Sequence, residues 1–135
     1  NSFEFDPQSK HTIIDFMEDQ SNDIRKGGTM RLGSYPCSLR ADTNIWSCYK
    51  KDMIDERHRH RYEFNNEYRS EFERNDMMIV GTSPDKQLVE AIEYNNHPFY
   101  IGVQYHPEFK SRPNRPHPLF VGLVKASLEN KESHK

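Results

Sequence analysis

Few stretches of this chain read as buried strands, and that scarcity constrains its fold most. The best are Met77–Val80 and Phe99–Val103. The parallel strands of an α/β domain are covered on both faces and read as near-continuous apolar runs. Here hydrophobic residues make up 33% of 135 residues, and mean hydropathy is −1.03. These values suit one domain, or part of one, whose most apolar strands lie elsewhere in a longer protein. The chain opens at Asn1 without Met, so the expectation is a fragment.

The rest of the pattern is a series of short elements. Ile13–Ile14 and Phe16–Met17 form a short strand or turn, and polar Ser21–Gly28 a loop. Met30–Leu39 alternates and predicts a strand at least to Pro36. Asp42–Lys51 predicts one or two helical turns capped by Asp42 or Thr43. Asp55–Phe64 predicts a highly charged strand, and Glu67–Arg74 a helix. Met77–Gly81, Leu88–Tyr94 and Phe99–Tyr105 predict strands joined by turns at 83–86 and 95–98. Leu119, Phe120, Leu123, Val124 and Leu128 recur at helical spacing behind Pro118. Residues 129–135 are a polar tail.

Charge excludes several classes. The net charge is −2 with 30% charged residues of both signs, so no nucleic-acid or membrane surface is expected. No run approaches the roughly 18 apolar residues of a membrane span. Cys37 and Cys48 offer neither a disulfide framework nor metal-ligand spacing, so a reducing, cytoplasmic compartment is expected. Their contexts, Pro36-Cys37-Ser38 and Ser47-Cys48-Tyr49, read as ordinary buried or half-buried thiols.

The apolar run at Phe99–Tyr105 ends in His106-Pro107-Glu108. Side chains alternate along a strand, so residues two apart share a face. His106 with Glu108 then reads as a general base and its orienting acid, lacking a nucleophile beside them. Arg57, Arg59 and Arg61 alternate with His58, His60 and Tyr62, which puts the arginines on one strand face and the histidines on the other. Three readings compete for this segment. Flanking Asp55, Glu56 and Glu63 argue against a nucleic-acid patch. A His58/His60 metal site needs further ligands that no spacing supplies. A solvated or salt-bridged strand is the third. Lys110–Pro118 is a basic, proline-stiffened loop. Gly27–Gly33 lacks the order and ending of a phosphate-binding loop.

Gly27-Gly28-Thr29-Met30-Arg31-Leu32-Gly33, Glu56-Arg57-His58-Arg59-His60-Arg61-Tyr62-Glu63 and Gln104-Tyr105-His106-Pro107-Glu108-Phe109 occur in this order. Together they resemble the glutamine amidotransferase domain of the CTP synthase family, as do Asn1–Pro7 and the segment from Ser111 to Phe120. The last motif is shared by class I amidotransferases; the first two are more specific. The resemblance implies an α/β fold, part of a flavodoxin-like three-layer class I amidotransferase domain, here a strand-rich fragment with a C-terminal helix. The nucleophile-bearing half would lie upstream of Asn1. The resemblance assigns His106 and Glu108 to catalysis, Arg61 to the carboxylate of substrate glutamine and Glu4 to its α-ammonium group. It implies ATP-dependent amination of UTP to CTP in the parent protein, with magnesium, GTP as allosteric activator, a separate synthetase domain and a homotetramer. No cofactor is expected in this chain, and the chain alone is expected to be inactive. Alternatives are another class I amidotransferase, a γ-glutamyl hydrolase, or a non-catalytic assembly or regulatory fragment. The two specific motifs argue against the first two.

Overall fold

The computed structural model describes residues 1–16 and 30–135. The expected loop at 21–28, Met17 and the Gly27–Thr29 part of the glycine-rich motif lie outside these residues. The elements run β1 (Ile14–Phe16), β2 (Arg31–Leu39), α1 (Asn44–Tyr49), β3 (Met53–His60), β4 (Tyr62–Phe64), α2 (Arg69–Arg74), β5 (Met77–Thr82), β6 (Val89–Tyr94), β7 (Ile101–Val103) and α3 (Pro118–Ser133). Short 3-10 turns occupy Asn66–Tyr68 and Pro107–Lys110. Five strands form an antiparallel sheet in the order β3-β2-β5-β6-β7, and β1 pairs antiparallel with β4.

Local chemistry explains much of this. Thr43, rather than Asp42, caps α1 by accepting the Trp46 N–H. Gly33 sits in β2 at φ +103, a conformation that favours glycine. Strand β2 continues past Pro36 to Leu39. It meets β5 only at Ser38 and Leu39, so the proline interrupts no ladder on that side. Strand β3 alternates as its sequence predicts: Ile54, Glu56 and His58 are buried, while Asp55, Arg57 and Arg59 are exposed.

Three expectations need correction. The charged segment from Asp55 to Phe64 is not one strand. Its first part pairs with β2 and its last with β1, so the chain turns between two sheets at Arg61. The strand expected over Phe99–Tyr105 shortens to Ile101–Val103 because Tyr105 turns into the core, where it is 3% exposed. The C-terminal helix runs beyond Leu128, through the polar residues, to Ser133.

The core lies between the sheet and helices α1 and α3. Cys37, Leu39, Ile45, Ile54, Val80, Ala91, Tyr105 and Leu119 form it, with Trp46, Met78 and Val103 packed against it. Helix α3 presses on α1 so closely that a Cβ at Gly122 would lie 2.5 Å from Cys48 Sγ. No helix among the described residues is long and apolar enough to cross a membrane.

Candidate active site

A cavity of about 610 Å³ opens where the β1–β4 pair meets β6 and β7. Its walls mix apolar Ile14, Phe64 and Val103 with polar Glu4, Arg61 and Gln104. The N-terminal turn reaches it because Phe3 donates its backbone N–H to the Ile14 carbonyl at 2.8 Å. The ring of Phe3 also packs on Phe16, centroids 4.8 Å apart. Arg61 reaches it because the chain turns there between β3 and β4. Thus Glu4 and Arg61, far apart in sequence, line one pocket. A carboxylate and a guanidinium facing one cavity suit a ligand carrying both an ammonium and a carboxylate.

His106 and Glu108 stand outside that lining, just along the chain from Gln104. They meet as expected but by different geometry. Glu108 lies in the 3-10 turn Pro107–Lys110 rather than on a strand, and that turn folds its carboxylate back onto the imidazole. His106 Nδ1 lies 2.7 Å from Glu108 Oε1. A carboxylate only accepts, so Nδ1 carries the proton and Nε2 is left basic. This hydrogen bond holds the Glu108 carboxyl below the usual carboxylate range. The His106 N–H donates to the Arg57 carbonyl at 2.9 Å, and the Phe109 ring stacks on the imidazole at 4.7 Å. The imidazole is therefore held at three points: backbone, Nδ1 and ring face.

Neither cysteine is a competing nucleophile. Cys37 is fully buried, and burial pushes its thiol up to about 12. Cys48 lies against Gly122 of α3, and burial raises its thiol as well. The thiolate is the reactive form, and neither site favours it.

Sequence reasoning missed the buried polar groups behind this site. Glu56 Oε1 accepts from Tyr49 Oη at 2.9 Å and from His117 Nε2 at 2.7 Å. His117 Nδ1 in turn accepts the Leu119 N–H, capping α3. Tyr105 Oη lies 3.1 Å from Tyr49 Oη, so this knot anchors the residue preceding His106. A second cluster joins Arg31 to Glu63 and Glu90. Burial, then the neighbouring Glu90, pushes Glu63 up to about 7 against the pull of Arg31. The available signal was a glutamate inside an apolar strand, as at Glu90 in Val89–Tyr94. A charge there demands a partner.

A model of the family described as "Glutamine amidotransferase class-I" matches residues 11–126. The CTP synthase of Fibrobacter succinogenes is 57% identical over 99% of this chain and 24% of its own length. That of Clostridium beijerinckii is 55% identical over 98% of this chain and 25% of its own. Among solved structures, the glutaminase domain of Trypanosoma brucei CTPS with bound acivicin superposes with a TM-score of 0.88 at 30% identity. That match covers 96% of this chain and 50% of that domain. The chain thus spans about a quarter of the length of the curated relatives it matches.

Proposed function

Because this chain belongs to the class I glutamine amidotransferase family, we propose that it supplies half of a glutaminase site within a CTP synthase. The observation that carries this reading is the His106–Glu108 contact at 2.7 Å, which leaves Nε2 as the free basic nitrogen. A cysteine thiol outside this chain gives its proton to that Nε2, and the resulting imidazolium rests against Glu108. The thiolate attacks the side-chain carbonyl carbon of glutamine. His106 returns the proton to the departing nitrogen, which leaves as ammonia. Water, its proton taken by His106, then cleaves the glutamyl thioester to glutamate and free thiol. Arg61 grips the substrate carboxylate and Glu4 its α-ammonium, which fixes the amide for attack.

In this reading ammonia passes to a synthetase domain of the same protein, which uses ATP and magnesium to aminate UTP. GTP stimulates the glutaminase step, and the whole protein is a homotetramer. The ATP, UTP and magnesium sites belong to that other domain. Similarity to CTP synthases along nearly the whole chain supports this assignment over other amidotransferases. The direct test is glutamine hydrolysis by the full-length protein, with CTP measured when UTP, ATP and magnesium are added. Equal release of glutamate and ammonia, with ammonia converted to CTP, is expected. Ammonia release by this chain alone above the buffer rate, lost on mutating Cys37 or Cys48, would overturn the reading.

A further inference from the structure

The turn that carries His106 and Glu108 hangs on the outer edge of β3. That strand ends the five-stranded sheet, so its outer carbonyls face no neighbouring strand. Two of them hold the turn. The Arg57 carbonyl accepts the His106 N–H at 2.9 Å, and the Asp55 carbonyl accepts Lys110 Nζ at the other end of the turn. Between these two residues stands Glu56, whose side chain is buried on the core face of the strand at 2% exposure.

The hydrogen bonds around Glu56 have a fixed direction. The Leu119 N–H occupies His117 Nδ1, so His117 carries its proton on Nε2 and donates it to Glu56 Oε1 over 2.7 Å. Burial foremost raises the phenols of Tyr49 and Tyr105, so both keep their protons. Tyr49 donates to Glu56 Oε1 at 2.9 Å, which leaves its oxygen to accept from Tyr105 at 3.1 Å. The series therefore runs from Tyr105 through Tyr49 and ends on one carboxylate oxygen. Tyr105 precedes His106 in the chain, and Arg57 follows Glu56.

We propose that Glu56 is a positioning residue for the glutaminase reaction, holding the backbone of His106 through Tyr49 and Tyr105 on one side and through Arg57 on the other. The inference rests on the function proposed above. An imidazole set by two backbone attachments returns to the same place at each turnover, and misplacement by about 1 Å costs on the order of a hundredfold in rate. Glu56, Tyr49, Tyr105 and His117 do not line the cavity that holds Glu4 and Arg61. Loss of the knot should therefore slow the chemical step and leave glutamine capture alone.

The test uses the full-length protein, with kcat and KM for glutamine hydrolysis measured beside ammonia-dependent CTP formation. Glu56→Met keeps the length of the side chain without an acceptor for His117 and Tyr49. It should lower glutaminase kcat about 10- to 100-fold, with KM and the ammonia reaction close to native. Glu56→Gln retains an acceptor oxygen and should recover most of that loss. Tyr49→Phe cuts only the link to Tyr105 and should lower kcat about three- to tenfold. A native kcat in folded Glu56→Met, a rise in KM alone, or an equal fall in both reactions would overturn the positioning role. Should Glu56→Met not fold, Tyr49→Phe decides, and a native kcat there refutes the inference. Absence of glutamine hydrolysis in the native protein would instead overturn the proposed function, and this inference with it.

Discussion

Replacing Glu108 with Gln separates the charge of the orienting group from its position. In the native chain the His106 ring donates its Nδ1–H to Glu108 Oε1 over 2.7 Å. A glutamine carbonyl in that place accepts the same bond, so Nε2 stays basic. What disappears is the attraction between the carboxylate and the imidazolium formed when His106 takes a proton. For charges about 4 Å apart this is worth ~1 kcal/mol in bulk water and ~4 kcal/mol at an effective dielectric of 20. The two side chains are 36% and 55% exposed, which places the value near the lower figure. The expected loss is about 1–2 kcal/mol, or roughly five- to thirty-fold in glutaminase kcat. KM for glutamine should hardly change, because the pair lies outside the pocket that holds Glu4 and Arg61. Glu108→Ala also removes the acceptor and frees the ring, so its loss should be larger. Steady-state ammonia release by the full-length protein measures both. Native kcat in both variants would refute the orienting role, as would a Gln variant more damaged than the Ala variant.

Arg61→Ala should weaken glutamine capture by about 1.5–3 kcal/mol, the worth of one charge-assisted hydrogen bond. That is roughly ten- to two-hundred-fold in kcat/KM for glutamine, with ammonia-dependent CTP formation spared. The Glu63 carboxyl is raised from 4.5 to about 7 in the fold. Its contribution to stability is therefore full below about pH 4.5 and lost as pH rises through 7, by about 3 kcal/mol. Glu63→Gln should flatten that slope in denaturation of the whole amidotransferase domain between pH 5 and 8, and an unchanged slope would count against it. Cys37, buried with its thiol near 12, should resist maleimide at pH 7.5 in the native protein. Labelling as fast as a free thiol would contradict its placement.

The sequence was most readable where local rules act alone. Period-two alternation put Arg57 and Arg59 on one face of β3 and His58 on the other. Thr43 and Pro118 marked helix starts, and the apolar spacing of 119–128 marked α3. Boundaries failed where distant pairings decide them. Nothing local to Arg61 announces that β4 leaves for β1 while β3 stays with β2. Tyr105 reads as a strand residue until the core that receives it is known. His106 and Glu108 were legible as a pair, although a 3-10 turn rather than strand alternation unites them. The buried partners of Arg31, Glu56 and Glu90 were not legible. Glu90 stands out inside an apolar strand, but the burial of each charge depends on a counterpart 30 or more residues away.

In the proposed function His106 serves only in releasing ammonia from glutamine. CTP formation by the full-length protein carrying His106→Ala, measured in parallel with glutamine and with ammonium chloride as nitrogen source, tests it most directly. The glutamine-dependent reaction should disappear while the ammonia-dependent reaction stays close to that of the native protein. An equal fall in both reactions in a folded protein would make His106 a structural residue and contradict the assignment.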